Sequence, residues 1–243
     1  CRLSKILDNK VYSQKFFGDL FGKDKKLCLS FYENYISSMS SVFHSLGINI
    51  NTVPVLDIIK DNTHNIIGTR SFSRNKETIK KLGKICLETY KKNKIGTVIK
   101  HIPGHGSASA DSHKKLPVVR NKYKDLKSND FNCFAKTKSF FAMTAHILYS
   151  NIDPSTVSTH SRIIIKNIIR KKIGFKGILI SDDVSMKALK YDILTNSLKS
   201  LNAGCNLVLY CRGKYEESCK LLKELPFIDQ FTIKKTSEFY KFL

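Results

Sequence analysis

Acidic residues are scarce in this chain. Against 42 lysines and arginines stand 20 aspartates and glutamates, a formal charge of +22. Such an excess suggests a polyanion partner. The features that would make that partner specific are missing: no helix-turn-helix, zinc-finger or stacking-aromatic motif stands out, and the basic residues are spread along the chain. The charge therefore reads as solvated faces, with a weak, salt-sensitive attraction to polyanions and no specific nucleic-acid partner. Long apolar runs are also missing. The longest candidates are broken by Lys and Arg, and residues 1–25 are charged throughout, so neither a membrane span nor a signal peptide is expected. CxxC pairs are missing too. The seven cysteines, Cys1, Cys28, Cys86, Cys133, Cys205, Cys211 and Cys219, are odd in number and irregularly spaced. This argues against a disulfide framework and for a cytoplasmic protein. A lipidated Cys1, as in mature bacterial lipoproteins, is the rival reading, and chain position alone supports it poorly. Repeats and low-complexity segments are absent.

What is present suits one domain. The 243 residues are 42% hydrophobic, enough for a core, and the length is near that of a (β/α)8 barrel. Leu29, Tyr32, Ile36, Met39, Phe43 and Leu46 recur at helical spacing, with Gly47 placed to cap the helix end. A strand-like run covers residues 48–56. A second helix is predicted over residues 76–92, with Asn75 as its cap and Ile79, Leu82, Cys86 and Tyr90 on one face. Strands follow at residues 97–99, 141–148, 177–181 and 206–210. Ser161 is positioned to cap a helix over residues 162–172, and another helix falls near residues 192–202. This order predicts a parallel sheet with helical crossovers. It sets Asp57, Lys100-His101, His146 and Asp182 at C-terminal strand ends, the face on which β/α barrels carry their sites. Taken singly, Asp57 reads as a cap or turn residue and Asp182 as an N-cap.

The most informative segment is Lys100-His-Ile-Pro-Gly-His-Gly-Ser-Ala-Ser-Ala-Asp-Ser-His-Lys-Lys-Leu-Pro117. Long loops without periodicity are usually functional. Asp111 and His113 stand two positions apart, close enough for the carboxylate to fix the imidazole tautomer and favour its protonated form. A proton-transfer group working near neutral pH follows. Metal binding is a rival, because His101, His105, Asp111 and His113 are all possible ligands. Their spacing fits no closed zinc pattern and no Cys joins them, so neither metal nor cofactor is expected.

As a whole, that string closely resembles the signature of the bacterial β-N-acetylhexosaminidases of glycoside hydrolase family 3, enzymes of peptidoglycan recycling. Further blocks in the family's order resemble it as well: Pro54-Val-Leu-Asp57, Ile67-Gly-Thr-Arg-Ser-Phe-Ser73, Thr144-Ala-His-Ile-Leu-Tyr149, Ile173-Gly-Phe-Lys-Gly177, Ile178–Met186 and Ala203–Leu209. The resemblance implies a (β/α)8 TIM-type barrel and a retaining glycosidase. Its small carbohydrate substrate would be a muropeptide bearing terminal β-linked N-acetylglucosamine. Carried onto this chain, it makes Asp182 the nucleophile, His113 the acid/base and Asp111 the residue that supports His113. Lys100, His101 and Arg70 would bind the sugar. His64, His105 and His146 have weaker claims. Asp183 is not expected to share the role of Asp182, since neighbouring strand residues point to opposite faces. Phosphorolysis stays open beside hydrolysis, because a neutral histidine tolerates an anionic acceptor.

One departure matters. The family carries three further β/α units upstream, the third ending in Asp-Gln-Glu-Gly-Gly-x-Val-x-Arg. This chain opens Cys1-Arg2-Leu3, so Arg2 would take the place of the last sugar-binding arginine and the accompanying Asp has no counterpart. The expectation is one catalytic domain over residues 1–243, the last five β/α units of a barrel that is N-terminally incomplete, and a monomer. The alternative is an inactive remnant with only nonspecific polyanion binding.

Overall fold

The computed structural model of the chain describes residues 11–61, 67–108, 110, 112 and 115–243. Its centre is a five-stranded parallel sheet, curled as a half-barrel, of β1 (Ile50–Asn51), β2 (Gly96–Ile102), β4 (Phe141–Thr144), β6 (Ile178–Asp183) and β7 (Leu207–Leu209). The strands lie side by side in chain order, each crossover being helical. A small parallel pair, β3 (Val118–Val119) with β5 (Leu148–Tyr149), stands beside it. Among the described residues β1 and β7 do not meet, so a closed eight-stranded barrel is not formed.

Alternation along the strands sorts the side chains into two layers. Ile99, Ala142 and Leu179 face one way, into the main core, with Ile79 and Leu82 of α3 (Lys76–Lys92) and Ile165 and Ile169 of the π-helix Ile164–Ile173. Val98, Phe141, Met143 and Ile178 face the other way, where Phe239 of the final helix, Gln230–Phe242, packs on them. That helix lies so close to the start of β2 that a Cβ on Gly96 would come 2.6 Å from the Phe239 ring. The strands are covered on both faces, as parallel sheets require.

The helices end where their caps allow. Asn75 Oδ1 accepts from the Glu77 and Thr78 amides at the start of α3. Ser161 Oγ accepts from Ile164 N, and Gly174, at φ 78°, closes the π-helix in the left-handed region. Asp192 caps the helix Ile193–Ala203 through Thr195 N. The α2 helix, Lys25–Ser45, buries Tyr32, Ile36, Met39 and Phe43 as its periodicity predicts.

Two predicted strands are corrected. The run over residues 48–56 pairs as a strand only at Ile50–Asn51, followed by a single bridge of Val55 to Lys100. Pro54 has no N–H to give the ladder. Gln14, in the helix Gln14–Lys23, takes the place of a neighbouring strand here, its amide donating to Val55 O and accepting from Val55 N, each at 2.9 Å. The run over residues 141–148 breaks after Thr144, and Leu148 turns to pair with Val118 instead. No described helix is long and apolar enough to cross a membrane.

Candidate active site

All the ionisable residues predicted at strand ends stand on the C-terminal side of the sheet. Lys100, His101 and Asp182 of this set line a cavity of about 850 Å3 together with Arg70 and His105. On β6 the inward positions are Ile178, Ile180 and then Asp182, so the same alternation that builds the inner layer carries the Asp182 side chain to the cavity. Asp182 Oδ1 accepts from the Asp183 amide at 2.8 Å, and its own N–H reaches Thr144 Oγ1. Burial works against the Asp182 charge. The pull of His101, His146, the Asp183 N–H and Lys100 outweighs it, and the carboxyl is held below its usual range. Asp183 borders the cavity too, contrary to strict alternation, but its carboxylate accepts from Ser185 N, Ser185 Oγ and Cys211 N and fastens the turns after β6 and β7.

Lys100 and His101 come from the last residues of β2. Lys100 Nζ reaches Thr52 Oγ1 at 3.1 Å. Arg70 stands on the 3-10 turn Gly68–Arg70, its Nη2 3.5 Å from His101 Nε2. Burial pushes the His101 pKa well below the ordinary imidazole value, and Arg70 and Lys100 add to this against the opposing pull of Asp182. The neutral ring is thereby favoured at His101. Lys100 supplies the permanent charge.

The Pro103-Gly104-His105-Gly106 turn is bracketed by two buried carboxylates. Asp57 accepts from the His105 amide at 2.6 Å and from His101 Nδ1 at 2.7 Å. Asp130 accepts from Ser107 N and Oγ and pairs with Lys60 Nζ at 2.6 Å. Both glycines answer to close approach. A Cβ on Gly106 would lie 1.8 Å from Ile58 O, and Gly104, at φ 145°, would meet the Asp130 side chain. His105 is buried, and burial brings its pKa down to about 4. Its Nε2 faces Ser112 Oγ at 3.4 Å, and Ser112 O accepts from Ala188 N in the loop after β6. His146 Nδ1 meets Thr159 Oγ1 and its Nε2 meets the Asp183 carbonyl, which makes it a brace between strand ends.

Of the predicted site residues, Arg70, Lys100, His101 and Asp182 are thus brought to one cavity. Arg2, Asp111 and His113 lie outside the described residues, as do His64 and Cys1. Among the described residues no group of three or more His, Cys, Asp or Glu side chains forms a metal-sized cluster. The sequence reading missed Asp130 and Lys60, which no local motif marks. It also missed the role of Asp57, whose partners lie 44 and 48 residues away.

A curled parallel sheet with ionisable residues gathered at its C-terminal strand ends is the architecture of a β/α-barrel enzyme. Residues 23–235 match the N-terminal domain of glycosyl hydrolase family 3, and the chain belongs to that family. A beta-hexosaminidase of Methylobacillus flagellatus is 29% identical over 223 residues, covering 90% of this chain and 63% of its own length. One from Idiomarina loihiensis is 32% identical over 192 residues, covering 77% and 57%. The chain spans about 60% of the length of these curated relatives. Among solved structures, NagZ from Neisseria gonorrhoeae in complex with N-trifluoroacetyl-D-glucosamine superposes with a TM-score of 0.84 at 27% identity, over 93% of this chain and 67% of that one.

Proposed function

We propose that this chain is the catalytic portion of a retaining β-N-acetylhexosaminidase. Its substrate would be terminal β-linked N-acetylglucosamine on muropeptides, in cytoplasmic peptidoglycan recycling. The observation that carries the reading is the convergence of Arg70, Lys100, His101 and Asp182 on one cavity. It is supported by the beta-hexosaminidases among the relatives and by the amino-sugar derivative bound in the gonococcal structure.

In this reading Asp182 attacks the anomeric carbon and forms a covalent glycosyl-enzyme. A carboxyl held below its usual range is ionised and ready for that step. The sequence assigns the acid/base work to His113, supported by Asp111. His113 gives its proton to the departing oxygen and then takes one from water. Arg70, Lys100 and His101 hold the sugar hydroxyls and orient the ring.

Hydrolysis of a chromogenic N-acetylglucosaminide by the intact gene product tests the proposal. Turnover that disappears in Asp182→Asn supports it. No turnover in the intact protein, with Asp182→Asn indistinguishable in every measurement, sinks it. The second reading is an inactive relative that merely attracts polyanions, and the +22 charge favours it. It expects no turnover and a nucleic-acid affinity that falls steeply as salt rises towards ~0.2 M.

A further inference from the structure

Asp57 is fully buried, at 0% exposure, yet it sits one hydrogen bond from the cavity. Its carboxylate is surrounded by groups that give protons. Oδ1 takes the His105 amide at 2.6 Å and the His101 amide at 3.3 Å. Oδ2 takes the same His101 amide at 3.2 Å and lies 2.7 Å from His101 Nδ1. Main-chain N–H groups donate and never accept, so they favour the ionised form of the carboxyl. The acid partner of a 2.7 Å contact between a carboxylate and an imidazole nitrogen is then the nitrogen. With Nδ1 carrying the proton of a neutral ring, Nε2 is left with its lone pair.

That lone pair has a defined setting. Arg70 Nη2 lies 3.5 Å from it, and Asp182 stands across the same cavity. Arg70 is a donor only and an ionised Asp182 an acceptor only. A ligand hydroxyl both donates and accepts. It can replace the long 3.5 Å Arg70–Nε2 contact, accepting from the guanidinium and donating to Nε2, whereas a second donor such as an ammonium meets repulsion from Arg70.

We propose that Asp57 is a positioning residue that locks His101 in the Nδ1–H tautomer, so that Nε2 serves as the acceptor for a hydroxyl of the bound sugar. The first half stands on this structure alone, and the second half rests on the reading of the cavity as an N-acetylglucosamine site. The main-chain bonds of Asp57 make it structural as well, so the test needs a readout that mere loss of packing would not move.

That readout is the tautomer. In Asp57→Asn the amide oxygen still accepts the His105 amide, while the NH2 group points at His101 Nδ1 and donates to it. The ring proton moves to Nε2, beside Arg70. Long-range 1H–15N spectra of histidine-labelled protein separate the two tautomers, and His101→Gln assigns the signals. The wild-type protein is expected to show His101 as Nδ1–H without ligand, and Asp57→Asn to show it as Nε2–H. Affinity for N-acetylglucosamine is expected to fall about tenfold in Asp57→Asn, the scale of one lost hydrogen bond to a buried group. With monodeoxy N-acetylglucosamines, the sugar lacking the relevant hydroxyl should bind wild type about as weakly and lose nothing further in Asp57→Asn.

A wild-type His101 found as Nε2–H or as imidazolium overturns the assignment, and this measurement does not depend on the variant folding. A tautomer that switches with sugar affinity unchanged overturns the acceptor role of Nε2. If the tautomers are as expected and no N-acetylglucosamine binds to either protein, the locking role of Asp57 stands and the functional reading of the cavity fails.

Discussion

Two carboxylates stand on the C-terminal side of this sheet, with β2 and β4 between them, and they have opposite fates. Asp57 ends the β1 side and is enclosed, its acceptor positions filled by His101 and His105. Asp182, next to last in β6, faces the cavity, and among the described residues one main-chain amide, at 2.8 Å, is bonded to its side chain. Burial raises the Asp57 pKa above the usual carboxyl range, against the pull of His105, His101 and Arg70. At Asp182 the surrounding charges and dipoles win and the pKa goes down. Chain position and residue type are alike. What separates them is whether the protein itself uses up the acceptor oxygens. An enclosed carboxylate organises the turn around it, and an open one is available to a substrate.

The largest expected effect tests the open carboxylate. On the proposed reading, Asp182→Ala should lower turnover of a chromogenic N-acetylglucosaminide by about 10^4-fold, with thermal stability unchanged or higher. A loss of activity matched by a loss of fold would put Asp182 in the same structural class as Asp57 and erase the contrast.

Next comes the other bracket of the histidine turn. Asp130 is 1% exposed and carries Lys60 and Ser107. Asp130→Ala removes the carboxylate that Lys60 and Ser107 share, at a cost of about 2 kcal/mol in urea unfolding. A change below about 1 kcal/mol would show that the turn is held by Asp57 alone.

Acidification acts on both regions, and its effect accumulates gradually with pH. His105 has a folded pKa of about 4, and His101 is lowered as well. Their unfolded values are near 6.5, so between pH 6.5 and 4 the unfolded chain binds more protons and stability falls as the pH falls. The slope is about 1.4 kcal/mol per pH unit for each such group. Asp182, lowered when folded, adds to the loss only as pH drops through and below the ordinary carboxyl range. Asp57, raised when folded, takes up its proton earlier in the folded state and works the other way. Urea midpoints measured across this window in His105→Gln should lose most of the His105 share of the slope. An unchanged slope would remove His105 from the account.

The smallest effect lies far from both carboxylates. Phe227 is fully exposed at 103%, between the helix Tyr215–Glu224 and the final helix. Phe227→Ser should change stability by less than about 0.5 kcal/mol. A larger loss would mean that the tail packs more tightly than its exposure indicates.

The sequence made the regular elements and the open carboxylate legible, and the enclosed one much less so. The face of Ile79, Leu82, Cys86 and Tyr90 appears where the helical period sets it, with all four buried. Helices at residues 14–23, 215–224 and 230–242 were not foreseen, since their apolar positions are few or mixed with exposed ones. Arg70, Lys100, His101 and Asp182 were readable because each sits in a motif. Asp57 was readable as a strand-end residue, but its work on His101 was not, because a carboxylate and its donors tens of residues apart leave no periodic trace. Asp130 has no motif and would need the fold itself to be found.

The parallel order of the sheet also bears on how the chain reaches this state. No hairpin joins neighbouring strands, so every pairing must first close a long loop, and parallel topologies of this kind collapse slowly. The closures are unequal. Ile180 meets Leu207 across the shortest span and Ile50 meets Gly96 across the longest of the main crossovers. The entropic difference is small, well under about 1 kcal/mol by the logarithmic law, and the two ladders gain alike, with two registered pairs each and one further bridge, Val55 to Lys100, on the β1 side. The β6–β7 corner, which carries Asp182, has the shorter closure and is expected to zip first. The β1 margin, with Asp57 and the clasp on His101, would be the last to join and the first to open in hydrogen exchange.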